Sequence, residues 1–304
     1  MQEKPIIQTE QLTKRYGERI LAVDRLDLEV HVGEVFGFLG PNGAGKTTTL
    51  RMLLGLIKPT SGSAIVAGYA PGDPKGLQRI GSLVESPAFY PYLSGRENLK
   101  VMADYVGIPY TGIDAVLEEV DLLSRAGDRF ATYSMGMKQR LAVAATLIKQ
   151  PTLMILDEPT NGLDPQGVVE MRSLVKRLGR GERTVLLSSH LLGEVEQTCD
   201  RVAIINGGTL ISQGTVHELR GGPALVIRAT PQDCARLVIE RMLGNSAVTS
   251  VDGTLRVKAA PEQAADVNAA LVSGGIRVSE IRPLERTLEE VFLSLTTKTE
   301  GVAA

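Results

Sequence analysis

The sequence predicts an α/β domain of buried parallel strands and helices, interrupted by a helical insertion and followed by a small α+β domain. Three observations predict it. The stretch Gly40-Pro41-Asn42-Gly43-Ala44-Gly45-Lys46-Thr47 fits G-x-x-x-x-G-K-[ST] and lies between an apolar run and a helix-forming run. Short apolar segments alternate with helical patterns from residue 4 to about residue 220. Gly221-Gly222-Pro223 then breaks the chain, and a different pattern follows.

The 304 residues suffice for one large domain and a smaller one, read as 1–220 and 221–304. Residues 20–30 and 34–39 read as strands, and 46–56 as the helix after the glycine-rich loop. Between about residues 94 and 150 the pattern is mostly helical, which predicts a helical subdomain inserted into the α/β core. The apolar runs 152–156 and 184–187 are typical of buried parallel strands. Residues 165–178 and 191–199 read as helices, and Asn206-Gly207-Gly208 as a hairpin turn. Beyond the break, 224–228, 247–251, 254–258 and 276–281 read as strands and 231–243 and 261–273 as helices. Asp252-Gly253 marks a hairpin. The order β-α-β-β-α-β is that of a ferredoxin-like split unit. A last helix carries Leu284, Leu288, Val291, Phe292 and Leu295 at helical spacing, a docking or core face rather than a membrane anchor.

Composition narrows the function classes. Hydrophobic residues make up 43% and charged residues 22%, as in water-soluble globular chains. No run approaches the length of a membrane-spanning helix, and Met-Gln-Glu-Lys-Pro at the start lacks a signal peptide's apolar core. Two cysteines, Cys199 and Cys234, provide neither a disulfide framework nor a metal set and read as cytosolic thiols. A net charge of -2 argues against a nucleic-acid-binding surface.

The glycine-rich loop points to a nucleotide phosphate. Its glycines let backbone N–H groups approach closely, and the helix start behind it favours anions. Lys46 is placed to reach the β- and γ-phosphates, and Thr47 to offer its hydroxyl to Mg²⁺. Further on, Leu153-Met154-Ile155-Leu156-Asp157-Glu158-Pro159 is an apolar strand ending in two acids. Asp157 is expected to hold the Mg²⁺ shell. Glu158, on the other side of the pleat, is expected to polarise the attacking water as a general base.

These residues, with three further motifs, resemble the ATP-binding-cassette (ABC) ATPases over about residues 4–220. Tyr133-Ser134-Met135-Gly136-Met137-Lys138-Gln139-Arg140-Leu141 resembles the family's signature motif, usually Leu-Ser-Gly-Gly-Gln. Asn161-Gly162-Leu163-Asp164-Pro165 looks like its D-loop and Ser188-Ser189-His190 its switch histidine. The resemblance implies that Tyr16 stacks on adenine and that Gly40, Pro41, Asn42, Gly43, Ala44, Gly45, Lys46, Thr47 and Thr48 cradle the phosphates of ATP. It also implies that Ser134 and Gly136 donate to the γ-phosphate held by an opposite subunit. By the same resemblance His190 contacts the γ-phosphate, and Asp164 links the two sites.

Two departures mark a branch. The signature reads Tyr-Ser-Met-Gly-Met, and the Q-loop glutamine is replaced by Glu85, a carboxylate able to approach Mg²⁺. Both resemble ATPases of antibiotic and antimicrobial-peptide exporters of the bacitracin-resistance and lantibiotic-immunity kinds. Anthracycline exporters and other members of that wider group share a C-terminal extension. The resemblance implies a head-to-tail homodimer around two ATP, a separate membrane permease, and a cytoplasmic subunit peripheral on the inner face of the cell membrane. The aromatics of Phe89-Tyr90-Pro91-Tyr92-Leu93 fall where the family receives its permease. A soluble ABC ATPase acting on ribosomes or DNA is the competing reading. The C-terminal unit either extends the dimer contact, the preferred reading, or senses a small ligand.

Overall fold

The computed structural model describes residues 4–84, 88–181, 183–251, 253–284 and 287–300, with backbone alone from 295. The chain divides into two compact units, Met1–Thr215 and Val216–Ala304, so the division falls a few residues before Gly221-Gly222-Pro223.

In chain order the first unit begins with β1 (Ile7–Tyr16), β2 (Ile20–Leu26), β3 (Glu29–Val30), β4 (Val35–Leu39), α1 (Lys46–Leu53), β5 (Ser61–Val66), α2 (Pro74–Gln78) and β6 (Ile80–Leu83). Next come α3 (Gly95–Val106), α4 (Ile113–Glu119) and α5 (Met135–Leu147). Then follow β7 (Leu153–Asp157), α6 (Pro165–Leu178), β8 (Thr184–Ser189), α7 (Leu192–Thr198), β9 (Arg201–Asn206) and β10 (Thr209–Thr215). The second unit comprises α8 (Val216–Leu219), β11 (Leu225–Thr230), α9 (Gln232–Leu243), β12 (Val248–Val251), β13 (Thr254–Val257), α10 (Ala264–Ser273), β14 (Arg277–Pro283) and α11 (Leu288–Glu300).

The six-stranded sheet of the first unit runs β10-β9-β4-β8-β7-β6. β4, β6, β7, β8 and β9 are parallel, and only the edge strand β10 is antiparallel. All five residues of β4 and all six of β8 are buried, as strands covered on both faces require. Phe36 and Phe38 lie fully inside, packed in one core with Leu50 and Leu53 of α1. Burial on that scale is what fixes β4, since truncating one such side chain costs about 2–5 kcal/mol. The loops that follow β4, β7 and β8 all leave from the carboxyl edge of one sheet, where doubly wound folds bind ligands.

The predicted strand 20–30 is two strands. Arg25 adopts a left-handed φ of 45°, and the Asp27 carboxylate takes the Gln11 backbone N–H at 2.6 Å, which interrupts the run before β3. β2, β3 and β5 all pair antiparallel with β1, a sheet of which the sequence predicts only the 20–30 segment. The helix predicted at 46–56 ends three residues earlier, at Leu53. Helices α3, α4 and α5 make up the inserted subdomain. α3 opens on a reciprocal Ser94–Glu97 capping box, whose hydrogen bonds hold the Glu97 carboxyl below the usual carboxylate range.

The second unit has a four-stranded antiparallel sheet in the order β12-β13-β11-β14, with α9 and α10 supplying its apolar cover. Leu225, Ile227, Leu255, Val257, Val267 and Leu271 have no exposed surface. α11 buries Leu288 and Val291 and leaves Leu293 exposed; the Leu295 side chain lies outside the described residues. Among the described residues no helix is long and apolar enough to cross a membrane.

Candidate functional site

The glycine-rich loop leaves the end of β4 through a space that excludes side chains. A Cβ on Gly40 would meet the Ile205 carbonyl at 2.4 Å. Gly45, at φ 100°, closes the loop, and a Cβ there would meet the Ala22 carbonyl at 2.4 Å. α1 therefore starts at Lys46 with its first turn facing the loop. The first N–H groups of a helix have no intrahelical partner and, with the dipole, favour an anion.

Around this loop the side chains form one connected network. The Lys46 ammonium is buried and donates to the Gly40 carbonyl at 2.7 Å; it lies 3.1 Å from Glu158 Oε1. Glu158 Oε2 lies 2.8 Å from His190 Nδ1. Thr47 Oγ1 donates to Asp157 Oδ2 at 2.7 Å, across 110 residues of sequence. The Ser188 hydroxyl donates to the other Asp157 oxygen, and Ser188 Oγ accepts the Glu158 backbone N–H at 3.0 Å.

Glu158 is not on the pleat, as the sequence reading had it. β7 ends at Asp157, and Glu158 turns to φ 48°, a left-handed conformation that costs a non-glycine residue about 1–2 kcal/mol. The turn swings its carboxylate back between Lys46 and His190, where continued strand would have carried it to the opposite face. These groups border a cleft of about 380 Å³ lined by loop residues 41–48, Glu158 and His190, together with Ala22, which sequence reasoning did not single out, and Asn161, which it named only as part of the D-loop.

A second cleft, of about 460 Å³, is lined by the signature and D-loop residues and shares no lining residue with the first. Ser134 is the N-cap of α5, its hydroxyl accepting the Met137 N–H at 3.3 Å. Asp164 is the N-cap of α6 and accepts from Gly167 at 2.8 Å. A Cβ on Gly136 would meet nothing within 4 Å. Arg140, one turn along α5, was also missed as a site residue although it stands inside the signature stretch. Its Nε is buried with no hydrogen-bond partner among the described residues, and its guanidinium is 3.7 Å from Glu170.

The remaining predicted residues lie elsewhere. Tyr16 ends β1, is 43% exposed with the Lys14 ammonium 5.2 Å over its ring, and does not line the phosphate-loop cleft. Glu85 lies outside the described residues. The aromatics just beyond it form a surface cluster, with Phe89 against Phe130 at 5.1 Å, Tyr90 against Tyr92 at 5.7 Å, and Tyr92 67% exposed. Asn98 pins that loop to α3 through the Tyr90 backbone N–H and C=O.

The residues present fit a nucleotide with Mg²⁺. The buried Lys46 and the glycine cradle suit phosphates, and Thr47 and Asp157 supply two oxygen donors at the loop, the ligand type Mg²⁺ takes alongside phosphate oxygens.

Comparison with known proteins agrees with this geometry. The family described as ABC transporter matches residues 23–161. The bacitracin transport ATP-binding protein BcrA of Bacillus licheniformis is 43% identical over 95% of this chain and 97% of its own. The uncharacterized ABC transporter ATP-binding protein YdbJ of Bacillus subtilis (strain 168) is 40% identical over 97% and 96%. Among solved structures, cbiO1 from Clostridium perfringens, part of the ABC transporter complex cbiONQ, superposes with a TM-score of 0.64 at 29% identity, covering 71% of this chain and 91% of its own. A phosphate loop, two acids and a histidine joined at the carboxyl edge of one sheet, in a chain matched along nearly its whole length by ABC ATP-binding proteins, make this protein an ATP-binding subunit of the ABC transporter family, an ATPase.

Proposed function

We propose that this chain works as a homodimer that sandwiches two ATP head to tail and drives a separate membrane permease. We propose further that it sits peripherally on the cytoplasmic face of the cell membrane and serves export of an antibiotic or antimicrobial peptide. One observation carries the dimer: the phosphate-loop groups and the signature groups line separate clefts of the same unit with no shared residue. Two copies placed head to tail supply each loop with the other's Ser134 and Gly136. The relative named for bacitracin transport, aligned through the C-terminal unit as well, supports the cargo class. A soluble ATPase acting on ribosomes or DNA has no comparable support.

In this reading each residue has a task. Lys46 leaves Glu158 for the β- and γ-phosphate oxygens when ATP enters, a stronger charge-assisted partner. Glu158, released from that ion pair, accepts a proton from the attacking water, and His190 holds its carboxylate in place. Thr47 and Asp157 would hold Mg²⁺, which when bound neutralises charge on the phosphate oxygens. Ser134 and the bare Gly136 N–H contact the γ-phosphate from the opposing subunit, so its loss lets the dimer open. Glu85 is proposed at the Mg²⁺ side of the site, Tyr16 under adenine, and Asp164 between the two sites. The exposed Tyr90 and Tyr92, with the half-buried Phe89 beside them, receive the permease. The C-terminal unit is proposed as a ferredoxin-like accessory domain, a reading its sheet order supports.

The Glu158→Gln variant tests the core of this reading. Turnover is expected to fall about 100-fold or more. With ATP and Mg²⁺ its mass in solution should double, and from solubilised membranes it should retain a multi-span protein. A wild-type rate overturns the general base. A monomer with ATP overturns the sandwich, and retention of ribosomal or DNA-associated proteins alone overturns the permease.

A further inference from the structure

We infer that the second unit carries its own binding site for a phosphate group of a small molecule or a lipid headgroup, on the sheet face turned away from α9 and α10. Strand alternation defines that face. Leu225 and Ile227 of β11, and Leu255 and Val257 of β13, point into the core. Val226 and Arg256, which are cross-strand partners, therefore point the other way, and Thr249 of β12 stands opposite Arg256. There the chain encloses a cleft of about 210 Å³ between this sheet face, the segment after α8 and Leu284.

Its charge is one-sided. Arg256, Lys258 and Arg220 line it, and no carboxylate does so among the described residues. Elsewhere in the unit Arg228 and Arg282 pair with Glu280, and Arg236 with Glu240, and Arg220 in the cleft has an interaction of its own. Arg241 and Arg277 are exposed. Arg256 is half-buried beside the buried Val226, yet neither it nor Lys258 has a side-chain partner among the described residues. A guanidinium brings five donors in a fixed fork that matches phosphate oxygens, and the ammonium adds a mobile point charge. Thr249 supplies a neutral hydroxyl at the rim.

Size narrows the ligand. Pockets for whole drug-sized molecules start at roughly 300 Å³, so this cleft suits an anionic head rather than a complete nucleotide. The segment opposite the sheet is Gly221-Gly222, both at left-handed φ, and a Cβ on Gly222 would meet nothing within 4 Å. That low wall leaves room for the rest of a larger molecule to extend out of the cleft.

The test uses the full chain saturated with MgADP, so that the phosphate loop is filled, and compares it with Arg256→Gln and Lys258→Gln variants. Two probes separate the sources: glycerol 3-phosphate, followed by calorimetry, and phosphatidylcholine vesicles with and without phosphatidic acid, followed by co-sedimentation. One equivalent of either probe per chain is expected, weakened about tenfold or more in each variant, the scale of one hydrogen bond to a charged group. Binding of glycerol 3-phosphate assigns a soluble ligand; binding to phosphatidic acid vesicles alone assigns a headgroup. Lys258 is exposed, so its variant keeps the fold and the test decisive. No binding of either probe, or binding unchanged in both variants, overturns the site. MgADP affinity is measured in the same preparation, so failure here is distinct from failure of the ATPase reading.

Discussion

The two clefts of the first unit are opposites in how their polar groups are satisfied. At the phosphate loop Lys46, Thr47, Asp157, Glu158, Ser188 and His190 are bonded to one another, so the geometry is set before a ligand arrives. At the signature the Ser134 hydroxyl makes one long bond, the space over Gly136 is open, and Arg140 Nε is buried without a hydrogen-bond partner among the described residues. A buried donor left unpaired costs about 1–3 kcal/mol, so the second cleft holds a cost that an incoming phosphate or protein surface can relieve. A preorganised half and an unfinished half on one chain fit the proposed interfacial site divided between two copies.

The largest expected effect comes from breaking the unfinished half. Gly136→Asp should lower ATP turnover about 100-fold or more, since it sets a negative charge where the opposing γ-phosphate is proposed to sit. ATP binding by the monomer should be untouched, because that cleft lies elsewhere and the added side chain has room. Equal loss of ATP binding, read by equilibrium dialysis, would mean the two clefts are not independent. Ser188→Ala should act on the prewired half. Removing the hydroxyl that orients Asp157 and caps the Glu158 N–H should lower turnover about tenfold and raise the Mg²⁺ concentration needed, the usual scale for groups that orient a metal ligand. An unchanged Mg²⁺ dependence would reduce Ser188 to packing.

Smaller effects sharpen the same contrast. Asp164→Ala deletes the N-cap of α6 and should cost about 1 kcal/mol in urea unfolding. Thiol alkylation should separate the rigid core from the surface. Cys199 lies under β4 beside Gly37, and burial, with Asp200 and Glu34 adding to it, pushes its thiol up beyond the usual cysteine range. It should stay unlabelled in the native chain as pH rises to about 9, the thiolate remaining scarce, while exposed Cys234 reacts. Labelling of Cys199 without denaturant would show that the strand carrying the loop opens locally.

Much of the site was legible because its chemistry is written in contiguous motifs. A glycine-rich turn, an apolar run ending in Asp157-Glu158, and a strand followed by His190 each state a residue type at a fixed local position. Ser188 stood inside a motif that was read for its histidine. Its role depends on β7 and β8 being neighbours in register, with Asp157 beside Ser188. Ala22 reaches the cleft from a segment with no chemical signature of its own, and Asn161 from a D-loop that was read for Asp164. β1 was hidden by its composition: Gln, Thr, Glu, Lys and Arg fill most of it, and only Ile7, Thr9 and Leu12 are buried.

The sequence by itself determined the family, the ligand class and the identity of most chemical groups, because those rest on local spacing and on residue types that few other tasks explain. It also determined the β-α-β-β-α-β order of the second unit, which turn residues and apolar alternation punctuate. Only the tertiary structure decided which groups meet. The Thr47–Asp157 bond, the left-handed turn that aims Glu158 at Lys46 and His190, and the separation of the two clefts follow from strand order and packing. Arg256, on the open sheet face and without a side-chain partner among the described residues, belongs to the same class. Such contacts join residues far apart in the chain, and only a folded core holds them in place.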